Sequence, residues 1–193
     1  LGGRVALARR RAGTIQFALL PVALALVTGT ALAQSPQALV VPTPLEFALA
    51  WSHDKPDGSL QMREFVPQGQ TVETWQQMIT VQHFPKLSQV EPQALLGRWT
   101  QSVLAACPKA QISREPQSPV NGHPAMRVYV HVTDCGARAP ESILAVVIKG
   151  ADAMHMVQHA WRPTPPTREQ LQAARVSFDR VRLCATGDAA CAR

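Results

Sequence analysis

The sequence predicts an α+β domain in which a single, largely antiparallel sheet packs with two main helices and is stapled by disulfides. Three observations carry that prediction. Stretches of period-two hydrophobicity lie on both sides of one strongly helical stretch, a second helical stretch closes the chain, and all four cysteines lie beyond the apolar N-terminal run.

The chain opens with Arg4, Arg9, Arg10 and Arg11, runs apolar from Ile15 to Leu32 with Pro21 as an interruption, and leaves through Ala31-Leu32-Ala33 before Gln34. A basic start, a short apolar stretch and a small-residue exit form the layout of a secretory signal peptide. Residues 1–33 are therefore expected to be cleaved, which places the mature chain in the periplasm or outside the cell. Residues 34–44 contain three prolines and no periodicity, so they read as a flexible lead-in, and 45–193 as one α+β domain.

Leu45, Phe47, Leu49 and Trp51 alternate with Glu46, Ala48 and Ala50, the pattern of a half-buried strand, with the four apolar residues predicted inward. Asp54-Lys55-Pro56-Asp57-Gly58-Ser59 is a dense turn signal, after which Leu60–Val66 can pair back as a hairpin. Met78–Phe84 reads as a third strand. Ser88 and Glu91 match a capping box, Pro92 follows, and Leu95, Leu96, Trp99, Val103 and Ala106 recur at helical spacing until Pro108. Between Ile112 and Ile148 period two returns: Met126, Val128, Val130 and Val132 face one way, with Asn121-Gly122 as a hairpin turn before them. The uniformly apolar Ile143–Ile148 predicts a central strand covered on both faces. Met154–Trp161 is a further strand. Thr167 and Gln170 form a second capping box, and Leu171, Ala174, Phe178 and Val181 the inward stripe of a closing helix.

This order of elements resembles the PsbP-like fold, to which DcrB-like bacterial envelope proteins also belong: an early hairpin, a third strand, one helix, a run of antiparallel strands and a closing helix. The resemblance covers about Leu45 to Cys184 and rests most on Met154–Trp161 followed by Thr167–Val181. It implies a non-enzymatic accessory or binding protein. It does not account for the disulfides. Those come from compartment and parity, because an even set of cysteines in an oxidising space reads as bridges. Three pairings are possible; Cys107–Cys135 with Cys184–Cys191 is expected, since the second closes a short Gly-containing loop. A four-thiolate zinc site needs closely spaced pairs, which are absent from the sequence.

Four of the nineteen basic residues and none of the thirteen acidic ones fall in 1–33, so the mature chain is almost charge-balanced. With its Lys and Arg spread singly, nucleic acid is not an expected partner. No second segment is apolar for long enough to span a membrane. Gly-x-Ser-x-Gly, His-Glu-x-x-His, P-loop and dinucleotide fingerprints are absent, and no cofactor is expected. His131, Asp134 and Cys135 outline a thiol-and-base arrangement, but the cysteine is expected to be oxidised. Met154-His155-Met156-Val157-Gln158-His159 offers soft and imidazole ligands suited to copper or zinc. On a strand, His155 and His159 share a face from which Met154 and Met156 point away.

Trp51 and Trp99 fall on inward patterns, whereas Trp75 lies in a polar stretch and Trp161 precedes the loop Arg162–Pro166. Trp75, Trp161 and Arg162 are thus the candidate partner-binding residues, set against the alternative that the two tryptophans cover the core edge. The expectation is a non-enzymatic periplasmic protein acting on another envelope protein or a small ligand. The alternative is metal handling through His155 and His159, with His83 or His131 supplied from neighbouring strands.

Overall fold

The computed structural model describes residues 37–136 and 139–185. The chain divides between Leu32 and Ala33, and all described residues belong to the second unit. The expected signal peptide and its cleavage point lie outside the described residues, as does Cys191.

Seven strands form one sheet in the order β2-β3-β4-β8-β7-β6-β5, and every neighbouring pair is antiparallel. In chain order these are β2 (Phe47–Asp54), β3 (Gln61–Pro67), β4 (Gln77–Phe84), β5 (Gln111–Arg114), β6 (Ala125–Val132), β7 (Glu141–Lys149) and β8 (Met154–Trp161). Helix α1 (Pro92–Ala106) and helix α2 (Arg168–Asp179) pack on opposite faces. The α+β prediction thus holds for the antiparallel sheet and its two helices, and it requires one correction: there is a second, two-stranded sheet. Its strands are β1 (Gln37–Val40) and β9 (Arg182–Ala185), antiparallel to each other. Gln37–Val40 falls within the expected lead-in and is instead a strand, because its pairing partner is at the far end of the chain and leaves no local signal.

Each face of the sheet follows from side-chain alternation. Val128, Val130, Ala145, Val147, Met154 and Met156 pack with Leu96, Trp99 and Val103 of α1. Leu144, Val146, Ile148, Val157 and Trp161 meet Ala174 and Phe178 of α2 and Leu183 of the ribbon. Strand β7 lies under both helices, and Leu144 to Ile148 are fully buried, as its uninterrupted apolar run predicts. At roughly 2 kcal/mol for each large side chain, this strand stabilises the fold more than any edge strand can.

Helix α2 begins as predicted: Thr167 Oγ1 accepts from the Gln170 backbone N–H, and the Gln170 side chain accepts from the Thr167 N–H. Two ion pairs hold it to the sheet, Arg127 with Asp179 at 2.6 Å and Arg175 with Glu115 through two bonds of 2.6 and 2.8 Å. Helix α1 departs from expectation. Its N-cap is Glu91, in extended conformation with no side-chain cap bond, and Pro92 opens the helix. The residue before a proline is pushed out of the helical region, so the Ser88–Glu91 box cannot form. Glu91 pairs with Lys149 instead. The Asn121-Gly122 turn is present, both residues at positive φ (51° and 80°), closing the Val120–His123 bridge.

Candidate functional site

Helix α1 covers β6, β7 and β8, but it does not reach the other end of the sheet. The remainder of that face is an open groove of about 320 Å³, lined by Met62 and Glu64 of β3, Thr80 and Gln82 of β4, and Gln158 of β8, with Trp75 and Glu141 at its margin. Direct cross-strand pairing fixes the layout: Trp51 lies opposite Glu64, Glu64 opposite Thr80, and Thr80 opposite Gln158. Gln158 Nε2 donates to Gln82 Oε1 at 3.2 Å. Glu64 makes no hydrogen bond or ion pair among the described residues, and its partial burial raises its carboxyl above the usual carboxylate range. The arrangement offers amide, hydroxyl and carboxylate groups on rigid strands, between methionine and tryptophan walls.

Trp75 and Trp161, read from sequence as partner-facing residues, are both buried, at 7% and 2% exposure. Trp75 forms the groove wall rather than a free anchor. It packs with Val66, Met78 and Ala160 and is held by Arg162, whose guanidinium lies 4.0 Å from the ring centre. Arg162 Nε donates to the Trp75 carbonyl at 3.0 Å, and Nη2 to the Glu73 carbonyl at 2.7 Å. Arg162 is therefore a structural latch, and its planar fork is spent on backbone acceptors. Trp161 lies on the opposite face of the sheet under α2. Trp51, predicted inward, is 38% exposed, because β2 is the sheet's edge and the α1 cluster on its face includes no β2 residue. A register shift between Leu49 and Trp51 also turns the strand's second half, so that Trp51 joins the groove side.

The histidines separate. His155 and His159 share a face, but four residues of strand place them roughly 13 Å apart, too far for one ion. His155, 1% exposed, instead meets His83 of β4, their Nδ1 atoms 3.2 Å apart. That pair lines a cavity of about 280 Å³ with Gln37, Gln61 and Arg63, beneath strand β1. Burial first and the neighbouring His83 second lower His155 to about 4, against the opposing pull of Asp152. His159 stacks on Trp161 at 4.2 Å and bonds Gln77 Oε1 through Nε2 at 3.2 Å; burial lowers it to about 4. Among the described residues no three His, Cys, Asp or Glu side chains are disposed to hold a metal ion. Met154 and Met156 are core residues under α1.

Cys135 is bridged to Cys107, with Cα atoms 4.8 Å apart, joining the end of α1 to the chain after β6. It is therefore not a nucleophile. His131 is engaged elsewhere, its Nδ1 2.8 Å from Ser142 Oγ. No described cysteine is free, while the expected Cys184–Cys191 bridge falls outside the described residues at Cys191. No described helix is long and apolar enough to cross a membrane.

A model described only as a protein family matches residues 39–111, less than half of the chain. No curated protein matches the sequence. Among solved structures the chain is similar to PA94 of Pseudomonas aeruginosa, a protein of unknown function, at 11% identity and a TM-score of 0.44, covering 68% of this chain and 81% of that one. It is also similar to LpqN of Mycobacterium tuberculosis, described as involved in cell envelope biogenesis (11% identity, TM-score 0.44, 78% of this chain and 85% of that one). A third is the Saccharomyces cerevisiae Ran-binding protein Mog1p (12% identity, TM-score 0.42, 74% and 84%).

Proposed function

We propose that this protein is a non-enzymatic binding or accessory domain, exported to the periplasm, that receives its partner in the groove beside α1. One observation supports the reading above the others: beside α1 the sheet face carries an open groove surfaced with Glu64, Gln82 and Gln158, with Thr80 buried at its floor. Structural sheet faces bury apolar residues against a neighbouring layer. A face that is uncovered and polar, yet bounded by Met62, Met78 and Trp75, suits a complementary surface better than it suits solvent. The export reading is supported by the layout of residues 4–33, and the envelope setting agrees with the DcrB-like resemblance in element order.

Site-specific photo-crosslinking in the native host tests the groove. A photoreactive residue at Gln82 or Gln158 should give a discrete adduct that the same residue at exposed Arg168 or Gln172 on α2 does not. Adducts of equal yield from both faces would overturn the reading. Metal handling is the second reading, and the observation in its favour is the 3.2 Å approach of His83 and His155. The ligand pair in that reading is His83 with His155, not His155 with His159.

A further inference from the structure

We infer that the groove selects a cationic partner: it is a docking site for an arginine- or lysine-bearing segment of another protein, with Glu64 as the counter-charge and Trp51 beside it. The inference rests on the reading of this groove as the binding face and names the chemistry of what enters it.

Charge complementarity carries the argument. Among the described residues the groove's central charge is the carboxylate of Glu64, and no lysine or arginine lines it. Glu64 is central to the lining, as the fourth and middle residue of a rigid seven-residue strand. It has no hydrogen bond or ion pair there, although it is partly withdrawn from water, and a partly desolvated carboxylate gains more from an incoming cation than one on an open surface does. The nearby basic group is already committed, since Arg162 is occupied by the Trp75 ring and by the carbonyls of Val72, Glu73 and Trp75.

The neighbours fit the same occupant. Trp51 is the direct cross-strand partner of Glu64, so its indole stands on the same face within side-chain reach, and it remains 38% exposed. A carboxylate next to an accessible indole meets both requirements of a guanidinium or ammonium, an ion-pair partner and a π-face. Thr80, on the other side of Glu64, and the Gln82–Gln158 amide pair supply acceptors for further N–H groups or for a partner's backbone.

The test uses purified protein and three acetylated, amidated heptapeptides in which serine alternates with arginine, glutamine or glutamate, with affinity measured by calorimetry at low salt. The arginine peptide is expected to bind at least about tenfold more tightly than the glutamine peptide, and the glutamate peptide not at all. Glu64→Gln should lower affinity for the arginine peptide about tenfold, and Glu64→Lys should transfer the preference to the glutamate peptide, with unchanged circular dichroism in both variants. Equal binding of the three peptides, no binding of any, or a Glu64→Gln variant that binds the arginine peptide as the parent does would each overturn the inference. Crosslinking from Gln82 and Gln158 does not depend on the charge of Glu64. Adducts that persist in Glu64→Gln without any charge preference would therefore leave the groove as the binding face while removing its cation selectivity.

Discussion

Arg162 closes over Trp75 at 4.0 Å and bonds the carbonyl of the same residue through Nε. One side chain thereby fixes both the ring and the backbone of the segment that forms the groove wall. Arg162→Ala removes three hydrogen bonds from a cation and one cation–π contact, and is expected to cost about 2 to 3 kcal/mol. Denaturant unfolding measures the loss. Hydrogen exchange should localise it to residues 70–77, and Arg162→Lys should recover little, since an ammonium cannot reproduce the planar fork.

Acid should destabilise the protein in a defined window. His155 and His159 both fall to about 4 in the folded state, from an ordinary value near 6.5. The unfolded chain takes up their protons near pH 6.5, whereas the fold resists them until about pH 4. Stability is therefore full above the unfolded value and falls as pH drops through the window, by roughly 2 to 3 kcal/mol for each histidine. Thermal melts from pH 7.5 to 4 read the slope. His159→Gln, which keeps a partner for Gln77, should remove about half of it.

The bridge between Cys107 and Cys135 closes a separation of 28 residues. In the chain-entropy treatment such a loop contributes about 3 to 4 kcal/mol. The Cys107→Ser, Cys135→Ser double variant is expected to lower the unfolding free energy by that amount while leaving the groove formed. Non-reducing peptide mapping of the parent should recover the 107–135 peptide. The same map reads the pairing of Cys184, where joining to Cys191 is the expected result.

Metal binding separates the two functional readings. Two imidazoles without a third protein ligand make a weak site, so Zn(II) or Cu(II) titration against a competing chelator should give no better than micromolar affinity. What binding there is should vanish with His83→Ala and be indifferent to His159→Ala. Stoichiometric submicromolar binding lost in His83→Ala would establish metal handling instead.

What the sequence by itself determined is the set of elements whose signals are local. Alternation marked β4, β6 and β8 to within a residue or two, a reciprocal capping box marked α2, and Asn121-Gly122 marked its turn, because each depends on residues within about one turn or one strand length of one another. The uninterrupted apolar run of β7 even announced two covered faces. Only the tertiary structure decided which faces the helices leave bare. Period-two patterning says that Trp51 and Ala50 point to opposite sides, but not that β2 is the edge strand beyond the reach of α1, so Trp51 is exposed where a core position was expected. Trp75, in a polar stretch, is buried because Arg162, far away in sequence, folds over it. His155 meets His83 rather than His159 because the sheet order sets β4 beside β8. The groove with Glu64 at its centre left no mark in the sequence at all: it is made by the place where α1 stops, and that is a property of packing between layers rather than of any one segment.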